Sequence, residues 1–225
     1  MKSRMTTRGS GCVNRLSRPL GVLFTTAMCI LSAACIGGKT PYMIEQYTVE
    51  YPAPLNRGDS PMNVTMRVER FSASKAYSGQ AMVYSSGPFK MNSYDYHRWR
   101  VSPGDMVTDF LLRDLRGSGL FRAVFSYHDP EEARFVLEGG VEEFLESDGK
   151  DGAKAILGLS VTLLDATQRE VTKRVVFQRR YRFVEAMGSR DPQALVQSMS
   201  RAMEMFSKAL LEDVEAAVKE SIRTP

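Results

Sequence analysis

The clearest pattern in the chain is an alternation of apolar and polar residues. It is most regular at 157–163, where every second residue is Leu or Val. A period of two residues places the apolar side chains on one face of a β-strand. The alternation returns at 175–183, after a turn near 166–169. These two segments are therefore predicted to pair as an antiparallel hairpin with one buried face.

Shorter apolar or alternating segments predict further strands. They lie at Tyr47–Tyr51, Val64–Val68, Ala81–Tyr84, Lys90–Arg100, Phe121–Tyr127 and Phe135–Phe144. In the last of these, Gly139 and Gly140 indicate a bulge or the close approach of another backbone. Glu142 and Glu143 are neighbours on the same predicted strand, so we expect them to point to opposite faces.

Two segments with an apolar period of three to four residues predict helices. Pro103-Gly104-Asp105 begins the first, which ends near Gly117 and Gly119. Asp191-Pro192 begins the second, which extends to about residue 222. The apolar stripe of this second helix consists of Leu195, Met199, Met203, Phe206, Leu210 and Val214. Several strands and two separate main helices predict a single α+β domain, with the helices packed on an antiparallel or mixed sheet.

The first 34 residues have the pattern of a bacterial signal peptide. Five basic residues and no acidic residue precede an apolar segment at 20–31, which is followed by Ser32-Ala33-Ala34 and then Cys35. A cysteine directly after a cleavage site resembles the lipobox, in which the thiol is acylated. We therefore expect residues 1–34 to be removed, Cys35 to carry lipid, residues 35–41 to form a tether and residues 42–225 to form the domain. The alternatives are a secreted protein that is cleaved nearby and an uncleaved anchor; translation from Met5 would change neither reading.

Loss of the leader changes the charge of the protein. The whole chain has 30 basic and 26 acidic residues and a net charge of +4. Since residues 1–34 hold five of the basic residues, 25 basic and 26 acidic residues remain, and the net charge becomes −1. No basic stripe is left that would indicate nucleic-acid binding. Cys35 is then the only cysteine, and with only two histidines in the chain no metal site or cofactor is predicted.

Aromatic residues are densest at Tyr94-Asp95-Tyr96-His97-Arg98-Trp99. On a regular strand Tyr94 and Tyr96 would share one face, and His97 and Trp99 would share the other. Most of this cluster is expected to pack in the core or across strands, with a partner-binding surface as the alternative. Arg98 is expected to stack on the tyrosines or hydrogen-bond to them.

Enzymatic function is not predicted. His97 is the nearest candidate base, with Asp95 beside it on the strand and Ser93 or Ser102 as the only nearby nucleophiles. Neither serine lies in a nucleophile elbow. The chain also lacks a phosphate-binding loop and a dinucleotide-binding motif.

The aromatic motif, read with its flanking residues, resembles the family of ABC-type transport auxiliary lipoproteins. The resemblance runs from Val83-Tyr84 through the segment 94–99, with Tyr94, Tyr96, Arg98 and Trp99, to Pro103. It continues at 135–139 and 161–165, and it covers roughly residues 35–218. Ser85 stands where the family commonly has Arg after Val-Tyr. The chain is thus similar to the family in its leader, its central motif and its C-terminal helix.

The resemblance implies a partner role and a location. Members of the family are outer-membrane, periplasm-facing subunits of lipid-transport systems that combine an ABC transporter with a mammalian-cell-entry (MCE) protein. Ile36 follows Cys35 where an Asp would hold a lipoprotein in the inner membrane, which is compatible with the outer membrane. Tyr84, Tyr94, Tyr96, Arg98, Trp99 and Pro103 are the residues of a candidate partner surface. Alternatives are a stand-alone lipid-binding lipoprotein and a structural envelope lipoprotein that forms homo-oligomers.

Overall fold

The computed structural model describes residues 42–54 and 60–223. The leader, Cys35 and the tether up to Pro41 lie outside these residues. Within the described part, nine strands belong to one sheet. They are β1 (Glu45–Tyr47), β2 (Met62–Val68), β3 (Ser72–Ala73), β4 (Ala81–Gly87), β5 (Lys90–Trp99), β6 (Phe121–Ser126), β7 (Phe135–Gly149), β8 (Gly152–Asp165) and β9 (Val175–Ala186). The helices are α1 (Pro103–Ser118), α2 (Val171–Arg174) and α3 (Pro192–Arg223), with a 3₁₀ turn at Lys75–Tyr77.

Strand β7 forms ladders along both of its edges. On one edge it is antiparallel to β8 over its whole length, from Phe135 opposite Asp165 to Gly149 opposite Gly152. On the other edge it pairs in succession with β2, β3 and β4, all parallel. β6 extends the sheet from β2, β5 and β1 extend it from β4, and β9 extends it from β8. The sheet is therefore mixed, as the sequence predicted.

The two long helices and the sheet enclose the core. The six residues of the predicted α3 stripe, including Phe206, are all buried. The Phe206 ring contacts Tyr181 and Phe183 of β9 at centroid distances of 5.3 and 6.5 Å. Because β8 and β9 form the predicted hairpin under this helix, the predicted α+β class is confirmed. No helix within the described residues is long and apolar enough to cross a membrane.

Both long helices begin at the residues that the sequence indicated, and α1 ends at Gly119, the second of the two glycines that predicted its end. The Asp105 backbone N–H donates to Ser102 Oγ at the start of α1, and Gly119 ends that helix in the left-handed conformation with φ of 67°. At the start of α3, the Ala194 N–H donates to Asp191 Oδ1 over 2.9 Å. Gly104 lets α1 approach the sheet, because a Cβ there would lie 2.5 Å from the Phe71 carbonyl oxygen.

Three local predictions differ from the structure. The first strand is Glu45–Tyr47 and not 47–51, because Tyr51 turns away from the sheet and buries its ring against α1. A short helix, α2, separates β8 from β9 where only a turn was expected. Glu142 and Glu143 both pair with arginines of β9, since the β7–β8 register shifts between Val141 and Glu143.

The distances show that the two carboxylates share one face of the sheet. Arg180 Nε lies 2.9 Å from Glu142 Oε2, and Arg182 Nε lies 2.7 Å from Glu143 Oε2. The expectation that they point to opposite faces is wrong, because an extra residue in one strand interrupts the alternation of side chains.

The buried stripe of α3 predicts that substitutions to alanine on its two faces will lower the free energy of unfolding by different amounts. Phe206→Ala removes a ring that is 0% exposed and should lower the free energy of unfolding by about 3–5 kcal/mol. Met205→Ala is the matched control, because Met205 is the adjacent residue and is 39% exposed. Urea unfolding followed by circular dichroism measures both. Equal effects of the two substitutions would contradict the assignment of the core face.

Candidate functional site: the aromatic cluster and an apolar groove

The aromatic motif lies where the register of the β4–β5 hairpin is irregular. Ala81 is opposite Arg98, whereas Val83 is opposite Ser93. Two steps along β4 thus correspond to five steps along β5, and the three additional residues fall within 94–97. A bulge of this kind changes the direction of side chains and is frequent beside functional sites.

Tyr94 connects the bulge to the core of the sheet. Its hydroxyl donates to Glu146 Oε2 on β7 over 2.7 Å, and Glu146 is only 1% exposed. Burial raises the pKa of the Glu146 carboxyl, and the hydrogen bond from Tyr94 opposes that rise. The Tyr94 ring also contacts Tyr84 at 5.1 Å and the edge of His97 at 6.0 Å.

His97 lies beside β1 and not beside Asp95. Its Nδ1 is 3.2 Å from the Tyr47 hydroxyl and 3.4 Å from Glu45 Oε2. Tyr47 also donates to Glu45, and this hydrogen bond, with smaller effects of burial, raises the pKa of Tyr47 to about 12. The expectation of one face for Tyr94 and another for His97 is wrong, because the bulge brings their rings together.

Three of the motif residues have structural contacts. Trp99 is 1% exposed and packs edge-on against Phe144 at 5.1 Å. Arg98 donates to the carbonyl oxygens of Tyr94 and His97, which agrees with the predicted hydrogen-bonding role. Pro103 is buried at the first position of α1.

The remaining two motif residues are more accessible. Tyr84 is half-buried, and Tyr96 is 43% exposed. Tyr96 is therefore the motif residue that offers the largest exposed aromatic surface. The motif as a whole mainly fixes the bulged hairpin to the core and to β1.

The candidate catalytic groups do not form a catalytic arrangement. Ser102 caps α1, with Oγ 2.7 Å from Asp105 Oδ2. Ser93 is exposed and lies opposite Val83, while the nearest hydrogen-bonding groups to His97 are on β1. No group of three or more His, Cys, Asp or Glu residues within the described residues has metal-binding geometry.

A buried polar network joins α1, α3 and the segment after β1. Asp114 is 0% exposed, and its Oδ2 accepts from the Tyr51 hydroxyl at 2.6 Å and from Ser207 Oγ at 2.5 Å. Arg113 Nε donates to Asp114 Oδ1 over 2.7 Å, and its guanidinium lies 4.4 Å from the Tyr51 ring centroid. Burial, followed by the hydrogen bond to Asp114, raises the pKa of Tyr51. No sequence pattern predicts this network, because Tyr51 and Ser207 are 63 and 93 residues away from Asp114 in the chain.

An apolar groove of about 460 Å³ opens beside this network. It lies between the segment 51–54, the C-terminal end of α1 and the middle of α3. Its apolar lining consists of Tyr51, Pro52, Ala53, Pro54, Leu120 and Leu211, and its polar lining consists of Ser118, Glu204, Ser207, Lys208 and Glu215.

The groove is in the half of the domain away from the β4–β5 turn. α3 begins near the β7–β8 turn, where the Met187 N–H donates to the Ala153 carbonyl, and it ends where Arg134 Nη2 donates to the Ser221 carbonyl at the opposite end of β7. β4 is parallel to β7, so the β4–β5 turn lies at the β7–β8 end. Leu120, which lines the groove, directly precedes β6, whose first residue pairs with Met62 of β2. Because β2 pairs in parallel with the beginning of β7, the groove extends toward the end of the sheet opposite this turn.

The structure is thus an α+β domain with a bulged aromatic hairpin and an apolar groove between its helices. The family model for the ABC-type transport auxiliary lipoprotein component matches residues 47–210, so the chain belongs to that family. A search among curated proteins gives no relative.

Two solved structures share the fold. Protein XCC0632 from Xanthomonas campestris is 19% identical, with a TM-score of 0.70 over 80% of this chain and 99% of that chain. The structure of an uncharacterized protein is 14% identical, with a TM-score of 0.58 over 76% of this chain and 99% of that chain. At these identities the similarity establishes the fold alone.

The Tyr94–Glu146 hydrogen bond predicts that the effect of Tyr94→Phe on the free energy of unfolding depends on pH. Tyr94→Phe removes the donor to a buried carboxylate and should destabilise the protein by about 1–3 kcal/mol at neutral pH. The pKa of Glu146 is higher in the folded state than in the unfolded state, so the folded state binds more protons between these two values. The free energy of unfolding therefore falls as the pH rises from the unfolded pKa to the folded pKa. Loss of the donor raises the folded pKa further, and the cost should therefore be larger at about pH 7 than at about pH 4.

Chemical denaturation at the two pH values measures this difference. Tyr84→Phe is the control, since it keeps the ring contact with Tyr94 and removes no bond to Glu146. A cost of Tyr94→Phe that is the same at both pH values would rule out a stabilising bond to the ionised carboxylate.

Proposed function

We propose that this chain is the outer-membrane lipoprotein subunit of an MCE-type lipid-transport system, and that it acts without catalysing a reaction. The family match over residues 47–210 carries this proposal. The pattern of the leader supports a lipid anchor at Cys35, and Ile36 in the next position is compatible with sorting to the outer membrane. The domain would then face the periplasm and receive the MCE component of the transporter.

The apolar groove is the surface that suits docking of the MCE partner. A chain that leaves the membrane at Cys35 enters the domain at β1, whose N-terminal end is directed toward the β4–β5 turn. The groove lies in the other half of the domain, where a periplasmic partner can reach it. Glu204, Lys208 and Glu215 stand among its apolar residues and can pair with the polar groups of a protein segment. These charges favour a protein segment over an acyl chain as the occupant.

Acylation of Cys35 has a direct test. In cells that process lipoproteins, the wild-type protein should enter the membrane fraction, and its intact mass should include acyl chains on Cys35. Cys35→Ala should abolish the acyl mass and leave the leader on the product, because the lipobox thiol is acylated before the leader is cut. Cys29→Ala is the matched control, since Cys29 lies within the leader and should be absent from the mature protein. A mature wild-type protein without acyl mass would contradict the anchor.

Docking of the partner can be tested with the acylated protein in phospholipid vesicles. A purified MCE protein should float with these vesicles, and Ala53→Arg should weaken its capture about tenfold, which corresponds to about 1.4 kcal/mol. Ala53 is exposed in the groove, so the substitution fills the site without disturbing the core. Ala76→Arg is the control, because Ala76 is exposed in the 3₁₀ turn, outside the groove.

The outcomes separate docking from the alternatives. Capture by the wild type and by Ala76→Arg, with a weaker capture by Ala53→Arg, supports the groove as the docking surface. Equal capture by all three variants would place docking elsewhere on the domain. Phospholipid that co-purifies with the wild type, without any capture of the MCE protein, would favour a stand-alone lipid carrier and would overturn the docking role.

A further inference from the structure

The turn between β4 and β5 exposes a phenylalanine in an unfavourable backbone conformation. Gly87 pairs with Lys90, so Pro88 and Phe89 form a two-residue turn. Phe89 has φ of 64° and is fully exposed. Proline followed by a residue with positive φ is the pattern of a type II turn, in which Gly or Asn normally occupies the second position. A bulky residue held in this conformation at an exposed tip indicates that the ring has a role outside the fold.

One other exposed apolar residue adjoins the turn, and two more precede β1, whose N-terminal end is directed toward the turn. Met91 follows the turn on β5 and is 51% exposed. Met43 and Ile44 precede β1 and are 82% and 56% exposed. Lys90, between Phe89 and Met91, is exposed and places a positive charge beside the ring. Aromatic and apolar side chains with a neighbouring lysine are typical of protein segments at a membrane interface.

The direction of β1 relates this turn to the anchor. β1 is parallel to β5, with Gln46 opposite Arg98, and Arg98 is opposite Ala81 of β4. The N-terminal end of β1 is therefore directed toward the β4–β5 turn. From Ala81 to Gly87 there are six strand positions, or about 20 Å at ~3.3 Å per residue.

The length of the tether limits how far the turn can be from the lipid. Gln46 is the eleventh residue after Cys35, and this length of chain can span at most about 36–40 Å. An acylated Cys35 can thus lie no more than about 20 Å beyond the turn along this axis, so the length of the chain allows the turn to contact the leaflet that holds the anchor.

We propose that the Pro88-Phe89 turn is a membrane-contact site, in which the Phe89 ring enters the head-group region of the leaflet that holds the Cys35 acyl chains. This inference rests on the lipid anchor of the proposed function. Acyl chains alone leave the domain free to rotate about its tether. A second contact at the turn fixes the orientation of the sheet and directs the apolar groove away from the membrane.

A fluorescent label at the turn tests the contact in the acylated protein. Cys12 and Cys29 are lost with the leader and Cys35 is blocked by lipid, so Phe89→Cys introduces a single free thiol. Val171→Cys is the matched control, because Val171 is apolar and 70% exposed and lies in α2, beyond the end of β8 that pairs with the beginning of β7. Both variants are labelled with an environment-sensitive nitrobenzoxadiazole probe and reconstituted into phosphatidylethanolamine–phosphatidylglycerol vesicles.

The proposal predicts different behaviour at the two positions. The label at position 89 should shift its emission to the blue and be quenched by lipids that carry a spin label near the head group. The label at position 171 should keep the emission of a probe in water and show no such quenching. The fluorescence of Trp99, whose ring is buried, verifies that both variants are folded.

Each other outcome overturns the proposal and identifies what failed. A protein that floats with the vesicles while position 89 remains in water retains its anchor and lacks the turn contact. A blue shift at position 89 without quenching by lipid would place the ring against another protein. A protein that does not float has no lipid anchor, and both the anchor and the turn contact are then wrong.

Discussion

The pairing of β7 on both edges is the constraint on which the rest of the domain depends. Its fifteen residues pair with β8 on one side and with three successive short strands on the other. The partner strand on that edge therefore changes from β2 to β3 to β4 along the length of β7. Gly139 lets Phe71, which lies between β2 and β3 in the chain, pack against β7, because a Cβ at Gly139 would lie 2.5 Å from the Phe71 ring. The apolar face of this sheet then fixes the positions of α1 and α3.

Regular periodicity explains how much of this fold the sequence could predict. The β8–β9 hairpin and the stripe of α3 repeat one pattern over many residues, and capping residues mark both ends of α1. The bulge in β5 has no such signal, because it depends on how the strand pairs in the folded chain. In β7, Gly139 and Gly140 indicated a bulge or a close approach, but the register shift lies after them, between Val141 and Glu143. For this reason the contact of Tyr94 with His97 and the common face of Glu142 and Glu143 were not predictable. The groove was equally hidden, since α1, α3 and the segment 51–54 meet only in the folded chain.

The aromatic motif has mainly structural contacts, although the sequence also offered its residues as a candidate partner surface. Trp99, Arg98 and Pro103 stabilise the domain, and Tyr94 connects the bulged hairpin to a buried carboxylate. In our account these contacts hold the β4–β5 hairpin in a fixed direction. In this account the hairpin points toward the membrane that holds the proposed lipid anchor, while the groove remains accessible to a partner. The motif would thus support docking by orienting the domain on the membrane, more than by contacting the partner directly.

The central claim is that this lipoprotein binds the MCE component of a lipid-transport system at the outer membrane. Its most direct test is crosslinking in intact cells, followed by affinity purification of the full-length protein from outer-membrane fractions and identification of crosslinked peptides by mass spectrometry. Our account predicts crosslinks between residues near the groove, such as Lys208, and a protein with an MCE domain. Efficient crosslinking of the lipoprotein to itself alone, with no MCE peptide, would contradict it.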